Sequence, residues 1–584
     1  MIRGPADMVI LNGKIITVDD RFSIVNAVAI RNGRVLAIGS PEHVSDFIDG
    51  DTYILDLAGK TMLPGIIDSH IHLAVWSTTR PPLSLDLSYP NVRSITDVVT
   101  LVKGRAAELP KGEWIRGYGW DESYFDEWIK DHNRHPTRWD LDSVSPDHPV
   151  SLSDFTGGHV FWVNSNALKR AGINRNTPEP EGGNIIRNSD TGEPTGILNE
   201  FGATRLIQKI LPRWATEQMR KGILTSLVEL NRLGITSVTE PGVGPNTYLG
   251  GEEVGNQLIT LYNTLYQEGL LTVRISLLLS FADWLTPGIL SLEGMKQYLD
   301  FVATNTGFGN EWLKVAGMKL GSDSMPLNKT SWMWEEYVGG GSGNLLARGK
   351  DDEERYNELI NMINYASKRR FQIGAHSTGD RAIDAVVDGF IRALEEDPWE
   401  ARHYVIHADF TTPACAERMA KNKIGVSVQS LIKQQISDLE EDIVGPKRAA
   451  YEWPLKTLVN AGVHIANSSD APVIYPNWKM GVEAAVTRES KASGKVSGPE
   501  ERLNREEAIR TYTIEGAWLD HSEHLKGSIE VGKVADFCVL DRDILTVEVH
   551  EIHEIETMMT IVDGRTVHNG HPDKLHLVKA NKTT

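Results

Sequence analysis

The chain has 584 residues, which is too long for one ordinary hydrophobic core, so one large domain with smaller domains attached is expected. Hydrophobic residues make up 40% and charged residues 24% of the sequence, as in soluble globular proteins. The net charge of −19 argues against a nucleic-acid or anionic-membrane partner. No uninterrupted apolar stretch is long enough to span a bilayer.

The first residues and the cysteines predict a cellular setting. The N-terminal residues lack the apolar core of a signal peptide. The two cysteines, Cys415 and Cys538, are too few for a disulfide framework, which favours a reducing compartment. We therefore expect a cytoplasmic protein.

Short apolar runs at both ends of the chain predict a small β-rich domain. These runs are Met8–Leu11, Ala27–Ile30, 535–540 and 560–567. Asn12-Gly13 and Asn32-Gly33 follow the first two runs, and an Asn-Gly pair between apolar runs predicts a hairpin. We expect residues 1–62 and 526–584 to form one composite β-sandwich.

The middle of the chain alternates short apolar runs with helical stretches, which is the pattern of a βα barrel. The runs are 66–73, 235–238, 272–277, 313–320, 371–376, 403–407, 424–429 and 464–470. Eight runs predict the α/β class, with a (β/α)8 TIM-like barrel over residues 63–525. Residues 75–230, between the first two runs, exceed any ordinary loop and predict an inserted cap within the barrel domain.

The first of these runs contains a His-x-His pair, His70 and His72. Residues two apart on a strand face the same side, so both imidazoles can bind one cation such as Zn²⁺. In a βα barrel the chemistry lies at the C-terminal ends of the strands. Residue types that bind metals occur at those ends, namely His70, His72, Lys319, His376, His407 and Asp470.

Each of these residues also has a structural interpretation. A single histidine at a strand end is more often a hydrogen-bonding residue, and a lysine such as Lys319 usually extends to solvent. Asp470 follows Ser468-Ser469 and could cap the next segment. Because the structural interpretations would require six independent coincidences in barrel order, the sequence favours a metal site.

Six segments of the chain contain motifs of a known family. They are Leu63 to His72, 158–168, 315–323, 375–382, 469–473 and 527–536. Together they resemble the amidohydrolase superfamily and, within it, the YtcJ-like branch that includes N-substituted formamide deformylases. The resemblance covers nearly the whole chain and implies a metal-dependent hydrolase with one or two divalent ions, of which zinc is expected.

The resemblance also implies how the ions would be held. His70 and His72 would bind the more buried ion, and His376 and His407 the other. Lys319 would be carbamylated, which converts a cation into a bidentate carboxylate that bridges both ions. A centre with a single ion, without the bridging lysine, stays open.

Asp470 is the implied catalytic residue. It would bind the first ion, accept a proton from the attacking water and then return it to the leaving amine. His159, after Gly158, resembles a histidine of the branch and is expected to contact the substrate or its developing oxyanion. A structural role for His159 is the alternative, and Glu200 is a weaker candidate.

Aromatic residues of the cap and the loops are candidates for the substrate pocket. Trp120, Trp162 and Trp332 could form an apolar cover over an aromatic or alkyl group, although half of the cap aromatics are expected to fill the cap's own core. The branch commonly shows Gln-Pro-x-His after the seventh strand, where this chain has Gln429-Ser430-Leu431-Ile432. We infer a less polar pocket on that side.

The leading hypothesis is hydrolysis of a C–N bond in an amide or N-substituted formamide that carries a hydrophobic or aromatic group. The same site could act on a carbamate, ester or lactone, or deaminate a ring. A non-catalytic scaffold is the alternative from another class. The expected partner is a small-molecule substrate, with no nucleic acid and no membrane, and the resemblance implies a homo-oligomer, at least a dimer.

Overall fold

The protein is described by a computed structural model. It describes residues 4–89, 91–130, 134–155, 158–180, 182–244, 248–249, 252–253, 257–282 and 288–580. Its largest feature is an eight-stranded sheet in which every pair of neighbouring strands is parallel. A parallel sheet of this kind needs helices on its outer face to bury both of its sides.

The eight strands follow chain order around the sheet. They are β1 (Ile66–Asp68), β2 (Ile235–Val243), β3 (Arg274–Leu279), β4 (Leu313–Gly321), β5 (Ile373–Ser377), β6 (Tyr404–His407), β7 (Gly425–Val428) and β8 (Ile465–Asn467). Between β1 and β8 the described residues form no ladder, but Ser69 donates its hydroxyl to the Asn467 carbonyl at 3.0 Å. This bond nearly closes the sheet, and the predicted (β/α)8 barrel is confirmed.

Helices surround the barrel. The main ones are Thr216–Arg232, Gln257–Gln267, Leu292–Phe301, Asp352–Lys368, Asp380–Glu396, Pro413–Lys421, Ser430–Val444, Pro446–Tyr451, Leu455–Ala461, Trp478–Thr487, Arg505–Thr511 and Ile514–Leu519. Their inward faces and the strands share one large apolar cluster. Among the described ranges, no helix combines the length and the apolar character that crossing a membrane requires.

A second layer is inserted after β1 and its short helix Leu73–Thr78. It is a mixed six-stranded sheet whose strands, in sheet order, are Asn184–Arg187, Pro194–Asn199, Val160–Val163, Val150–Asp154, Ile115–Trp120 and Leu85–Asp86. Its helices are Ile95–Glu108, Asp126–Lys130, Arg138–Asp142, Ser165–Arg170 and Glu200–Gln208. This cap has two apolar clusters of its own.

The two ends of the chain form two facing sheets. One contains, in order, Leu577–Lys579, Tyr53–Asp56, Met8–Leu11, Ala27–Arg31 and Arg34–Gly39. The other contains Arg565–Asn569, Thr557–Val562, Phe537–Leu540, Thr61–Pro64, Lys14–Ile16 and Ile24–Val25. Apolar residues of both sheets share one cluster, so the predicted composite β-sandwich is confirmed.

One of the two predicted hairpins is wrong. Asn32-Gly33 joins antiparallel neighbours, as expected. Asn12-Gly13 instead leads from one sheet to the other, because Met8–Leu11 lies in the five-stranded sheet and Lys14–Ile16 in the six-stranded sheet. Asn12 does adopt the left-handed conformation of a tight turn, with φ of 56°. The Asn-Gly sequence therefore specifies the turn, whereas the burial of apolar side chains between the two sheets decides which strands are neighbours.

A buried ion pair joins the sandwich to the barrel. Arg274, at the start of β3, binds the Asp536 carboxylate through two nitrogens, at 2.7 and 3.0 Å. Both side chains are almost inaccessible to solvent. Because an unpaired buried charge is costly, this bidentate pair fixes the sandwich against the N-terminal end of the barrel.

Candidate metal centre

The structure brings the six predicted ligand residues to the C-terminal ends of the strands. The exposed fractions are 0% for His70, 4% for His72, 0% for Lys319, 7% for His376, 7% for His407 and 8% for Asp470. Polar groups buried this deeply need partners, so their convergence in one place indicates a common ligand or a shared network.

A turn, and not the alternation of side chains along a strand, brings the rings of His70 and His72 together. β1 ends at Asp68, and His72 is the N-terminal cap residue of the helix Leu73–Thr78. The two rings lie 5.1 Å apart and nearly perpendicular. The Nε2 atoms of both rings lie 3.3 Å from the Asp470 Oδ1 atom. The predicted pair is therefore brought together, but the local geometry that we expected for it is wrong.

Asp470 links the first and last strands of the barrel. Its backbone N–H donates to the His70 carbonyl at 2.8 Å, and the His72 N–H donates to the Ala471 carbonyl at 2.9 Å. Burial acts to raise the pKa of the Asp470 carboxyl, but its interactions with the His70 and His72 rings outweigh burial and hold the pKa well below its usual range. Asp470 is therefore an ionised carboxylate, which is the form that binds a cation.

The histidines on β5 and β6 have fixed tautomers. His376 donates its Nε2–H to the Ser324 carbonyl at 2.9 Å, and the two imidazole rings, His376 and His407, lie 4.4 Å apart. His407 donates its Nδ1–H to Gln429 Oε1 at 2.7 Å, and the amide nitrogen of Gln429 donates to Ser427 and Ser468. These bonds leave a lone pair on Nδ1 of His376 and on Nε2 of His407, as metal ligation requires.

Burial keeps the imidazoles neutral. It lowers the pKa of His70 and His376 to about 3, with a further lowering from Lys319, and it lowers the pKa of His407 well below its usual range. His72 shifts in the same direction for the same first reason. Neutral imidazole is the form that donates electrons to a metal ion, so the four rings are prepared as ligands.

Lys319 lies on β4 among these rings and has no exposed surface. Burial lowers the pKa of its amine to about 7, although the nearby Asp470 carboxylate raises it. A large fraction of neutral amine therefore exists near pH 7. A neutral amine is nucleophilic, whereas an ammonium group is not.

The donor atoms fit a divalent ion. One ligand atom each from His70, His407 and Asp470 lies within 4.8 Å of the other two. Imidazole nitrogen with a carboxylate oxygen is a donor set that Zn²⁺ accepts. The neutral rings, the ionised carboxylate and the short spacing together satisfy what a cation of this class requires.

Asp323, which the sequence did not single out as a site residue, supports the β4 and β5 ends. Its carboxylate accepts backbone hydrogen bonds from Trp332, Thr378 and Gly379 at 2.9 to 3.0 Å. Burial raises its pKa to about 7. An acidic residue two positions after an apolar strand was the available signal in the sequence. Asp323 holds the Trp332 loop against the segment that follows His376.

His159 lies at the meeting of the cap and the barrel. Its Nδ1 is 2.9 Å from the Glu200 carboxylate and 3.1 Å from the Asn328 amide nitrogen. Asn328 belongs to the loop after β4, four residues beyond Ser324, whose carbonyl binds His376. Glu200 has a φ of 65°, which is uncommon for a residue with a side chain. The imidazole is thus held at the end of the barrel where the candidate ligands lie.

Of the three tryptophans proposed for the substrate pocket, two lie in the core of the cap and one lies on a loop of the barrel. Trp120 and Trp162 lie in the cap core, where their indole N–H groups donate to the Leu152 and Thr137 carbonyls. We therefore do not assign these two rings to the substrate. Trp332 lies under the Arg381 guanidinium, 3.9 Å from the ring centroid, on the loop that Asp323 holds.

Comparisons with known proteins agree with this geometry. The sequence profile of the amidohydrolase family matches residues 54–568. The chain is 27% identical over 583 residues to the "N-substituted formamide deformylase" of Arthrobacter pascens, covering 96% of this chain and 97% of that protein. It is 29% identical over 563 residues to the "Putative amidohydrolase YtcJ" of Bacillus subtilis (strain 168), covering 95% and 98%.

A solved structure gives the same fold. It is described as an uncharacterized metal-dependent hydrolase from Pyrococcus furiosus and is 26% identical, with a TM-score of 0.70, covering 92% of this chain and 100% of that chain. The family profile covers most of the sequence, including every candidate ligand. The chain therefore belongs to the amidohydrolase family, and it is a metal-dependent hydrolase that acts on carbon–nitrogen bonds.

Proposed function

We propose that this enzyme hydrolyses an amide or an N-substituted formamide whose substituent is hydrophobic or aromatic. The observation that carries the proposal is the convergence of four neutral imidazoles, Lys319 and the Asp470 carboxylate at one end of the barrel. The similarity to a protein named as a formamide deformylase supports the choice of bond.

His70, His72 and Asp470 would hold one ion, and His376 with His407 a second, with zinc as the metal. Carbamylation of Lys319, between these ligands, would give the bridging carboxylate. A bound divalent ion supplies Lewis acidity, which polarises the scissile carbonyl and lowers the pKa of water. The low pKa of the Lys319 amine, set by burial, supports its reaction with carbon dioxide as a neutral nucleophile.

Asp470 would act as the general base and acid. Its carboxylate accepts a proton from the water that attacks the carbonyl carbon, and the resulting carboxylic acid returns the proton to the leaving amine. Its left-handed backbone, with φ of 56°, turns the chain three residues after the end of β8. The backbone hydrogen bond to His70 keeps the carboxylate in contact with the first pair of imidazoles.

The cap and the loops would bind the substrate. The bond from His159 Nδ1 to Glu200 leaves Nε2 as the ring atom that can meet a substrate or its developing oxyanion. Ile432, at the position where the branch commonly has histidine, is partly buried and packs against Leu431, Ile474 and Ala484. The apolar character of this side of β7 favours a hydrophobic substituent.

A pair of matched substrates tests the proposal. N-benzylformamide and benzyl formate share the benzyl and formyl groups and differ in the scissile bond. We expect release of benzylamine and formate from the amide, with both products quantified by chromatography. Comparable amine release from N-(2-hydroxyethyl)formamide, whose substituent is polar, would contradict the hydrophobic preference. Hydrolysis of the ester, a carbamate or a lactone without hydrolysis of any amide would contradict the proposed bond.

The oligomeric state, the partners and the cellular compartment of the enzyme are part of the proposal. We propose a homodimer that acts on a small molecule, with neither nucleic acid nor membrane as a partner, in the reducing cytoplasm. The net charge of −19 supports the absence of a nucleic-acid or membrane partner, and the two cysteines, Cys415 and Cys538, which are buried free thiols, support a reducing compartment.

A further inference from the structure

The end of β2 lies against the loop that carries His72. The Ile71 N–H donates to the Thr239 carbonyl at 3.0 Å, and the His72 ring is hydrogen-bonded to the backbone of Pro241. Between these two contacts lies Glu240, whose exposed fraction is 1%. Three consecutive residues of β2, Thr239 to Pro241, thus lie beside the loop that carries His72.

Within the described part of the chain, the Glu240 carboxyl group meets only neutral donors, and burial raises its pKa to about 8. Its two oxygens lie 3.3 and 3.1 Å from the Ala74 amide nitrogen, and the Leu73 amide is a further donor. The Tyr262 hydroxyl, on the helix Gln257–Gln267, donates to Oε2 at 2.7 Å. The exposed fraction is 1% for Glu240 and 0% for Tyr262, so water does not supply hydrogen bonds to these groups.

The helix that begins after His72 lacks a cap of its own. His72 occupies the N-terminal cap position, but its side chain makes no capping hydrogen bond. All six residues of Leu73–Thr78 are buried, so the first amides of the helix cannot bind water. The Glu240 carboxylate, supplied by another strand, takes the place that a serine or aspartate cap normally has.

We infer that Glu240 is a positioning residue of the metal centre: it anchors the helix start directly after His72 and thereby fixes the orientation of the His72 ring. The inference rests on the proposed metal centre and not on the identity of the substrate. Groups that orient a metal ligand affect metal affinity almost as strongly as the ligands themselves, with losses of about 10- to 100-fold on mutation.

The variant Glu240→Gln tests this role at nearly constant volume. One carboxylate oxygen becomes an NH₂ group, which would face the N–H groups of Leu73 and Ala74 or the Tyr262 hydroxyl. The amide leaves one acceptor oxygen for three donors, the N–H groups of Leu73 and Ala74 and the Tyr262 hydroxyl, so at least one buried donor loses its acceptor, the helix start shifts and His72 loses its fixed orientation. We expect the Zn²⁺ affinity to fall by about 10-fold or more.

Two measurements on the full-length protein separate this role from a general loss of stability. Zn²⁺ affinity is determined by competition with a chromogenic chelator, and hydrogen exchange of the segment 70–78 is followed by mass spectrometry in the metal-free protein. The matched control is Asp520→Asn, which alters a buried carboxylate that is paired with Lys526 at 2.9 Å and bonded to Ser276 near the start of β3, at the N-terminal end of the barrel. It is expected to lower stability without changing Zn²⁺ affinity or exchange of the segment.

Faster exchange of the segment together with weaker Zn²⁺ binding in Glu240→Gln supports the inference. If that variant does not fold, Tyr262→Phe removes one donor to the same carboxylate and is expected to weaken Zn²⁺ binding less strongly. Wild-type affinity in whichever of the two variants folds, or an equal loss in Asp520→Asn, would overturn it. Absence of Zn²⁺ binding by the wild type would instead overturn the proposed metal centre, and this inference with it.

Discussion

The variant Asp470→Asn is expected to lower kcat by about 10² or more while metal binding is retained. An asparagine side chain keeps an oxygen that can coordinate an ion, but it cannot accept a proton from water at neutral pH. Asp470 contacts both His70 and His72, so a residue of the same size preserves the shape of the site. The measurement is kcat on N-benzylformamide, with metal content determined on the same sample.

Asp470→Ala is the comparison for this experiment, because it removes the ligand oxygen as well as the base. We expect the alanine variant to lose both metal and turnover, whereas the asparagine variant loses turnover alone. Wild-type kcat in Asp470→Asn would show that another group accepts the proton of the water, and the proposed mechanism would be wrong.

The variant Lys319→Met is expected to lower the metal content to about half and kcat by about 10² or more, because the bridging carboxylate can no longer form. Methionine fills a similar volume without a charge to desolvate, and the exposed fraction of Lys319 is 0%. The free energy of unfolding of the metal-free protein should therefore be maintained. Metal analysis and urea denaturation of the same preparation test both statements.

Lys526→Met provides the control for a buried lysine. Lys526 is also buried, with an exposed fraction of 5%, but it binds Asp520 and Ser237 at the N-terminal end of the barrel, near the start of β2. This variant leaves a buried carboxylate with fewer partners, so it should be destabilised while it keeps its metal and its kcat. An unchanged metal content in Lys319→Met would remove the bridging lysine from the account and leave a centre with one ion.

The barrel could be predicted because each strand is a short apolar run and the ligand residues come last in the run. β4 illustrates this: the sequence predicts 313–320, and the strand is Leu313–Gly321 with Lys319 near its end. Parallel strands buried on both faces have this uniform apolar pattern, and helices must separate them. The order of the strands in the sheet then follows from their order in the chain.

The local geometry of the ligands could not be predicted in the same way. His70 and His72 lie beyond the strand, and the contacts that hold them come from Asp470 and from the end of β2, about 170 to 400 residues away in sequence. Gln429 entered the sequence argument only as part of an altered motif, yet it fixes the tautomer of His407. Such partners are set by tertiary packing, which periodicity does not encode.

The role of the aromatic residues in the cap could not be predicted from the sequence either. Trp120 and Trp162 are aromatic residues in a region that covers the barrel, and composition alone cannot tell a pocket wall from a core. The structure separates the two cases, because each indole N–H already donates to a backbone carbonyl inside the cap. His159 differs, since its ring contacts a barrel loop through Asn328.

Hydrolysis by this enzyme is proposed to depend on a metal centre at the C-terminal end of the barrel. The most direct test is the metal content per chain of protein purified without added metal, measured by plasma mass spectrometry before and after chelator treatment, with formamide hydrolysis assayed on each sample. We expect about two divalent ions per chain, loss of hydrolysis when they are removed, and recovery on adding Zn²⁺ with bicarbonate. Full hydrolysis by metal-free protein would contradict this dependence.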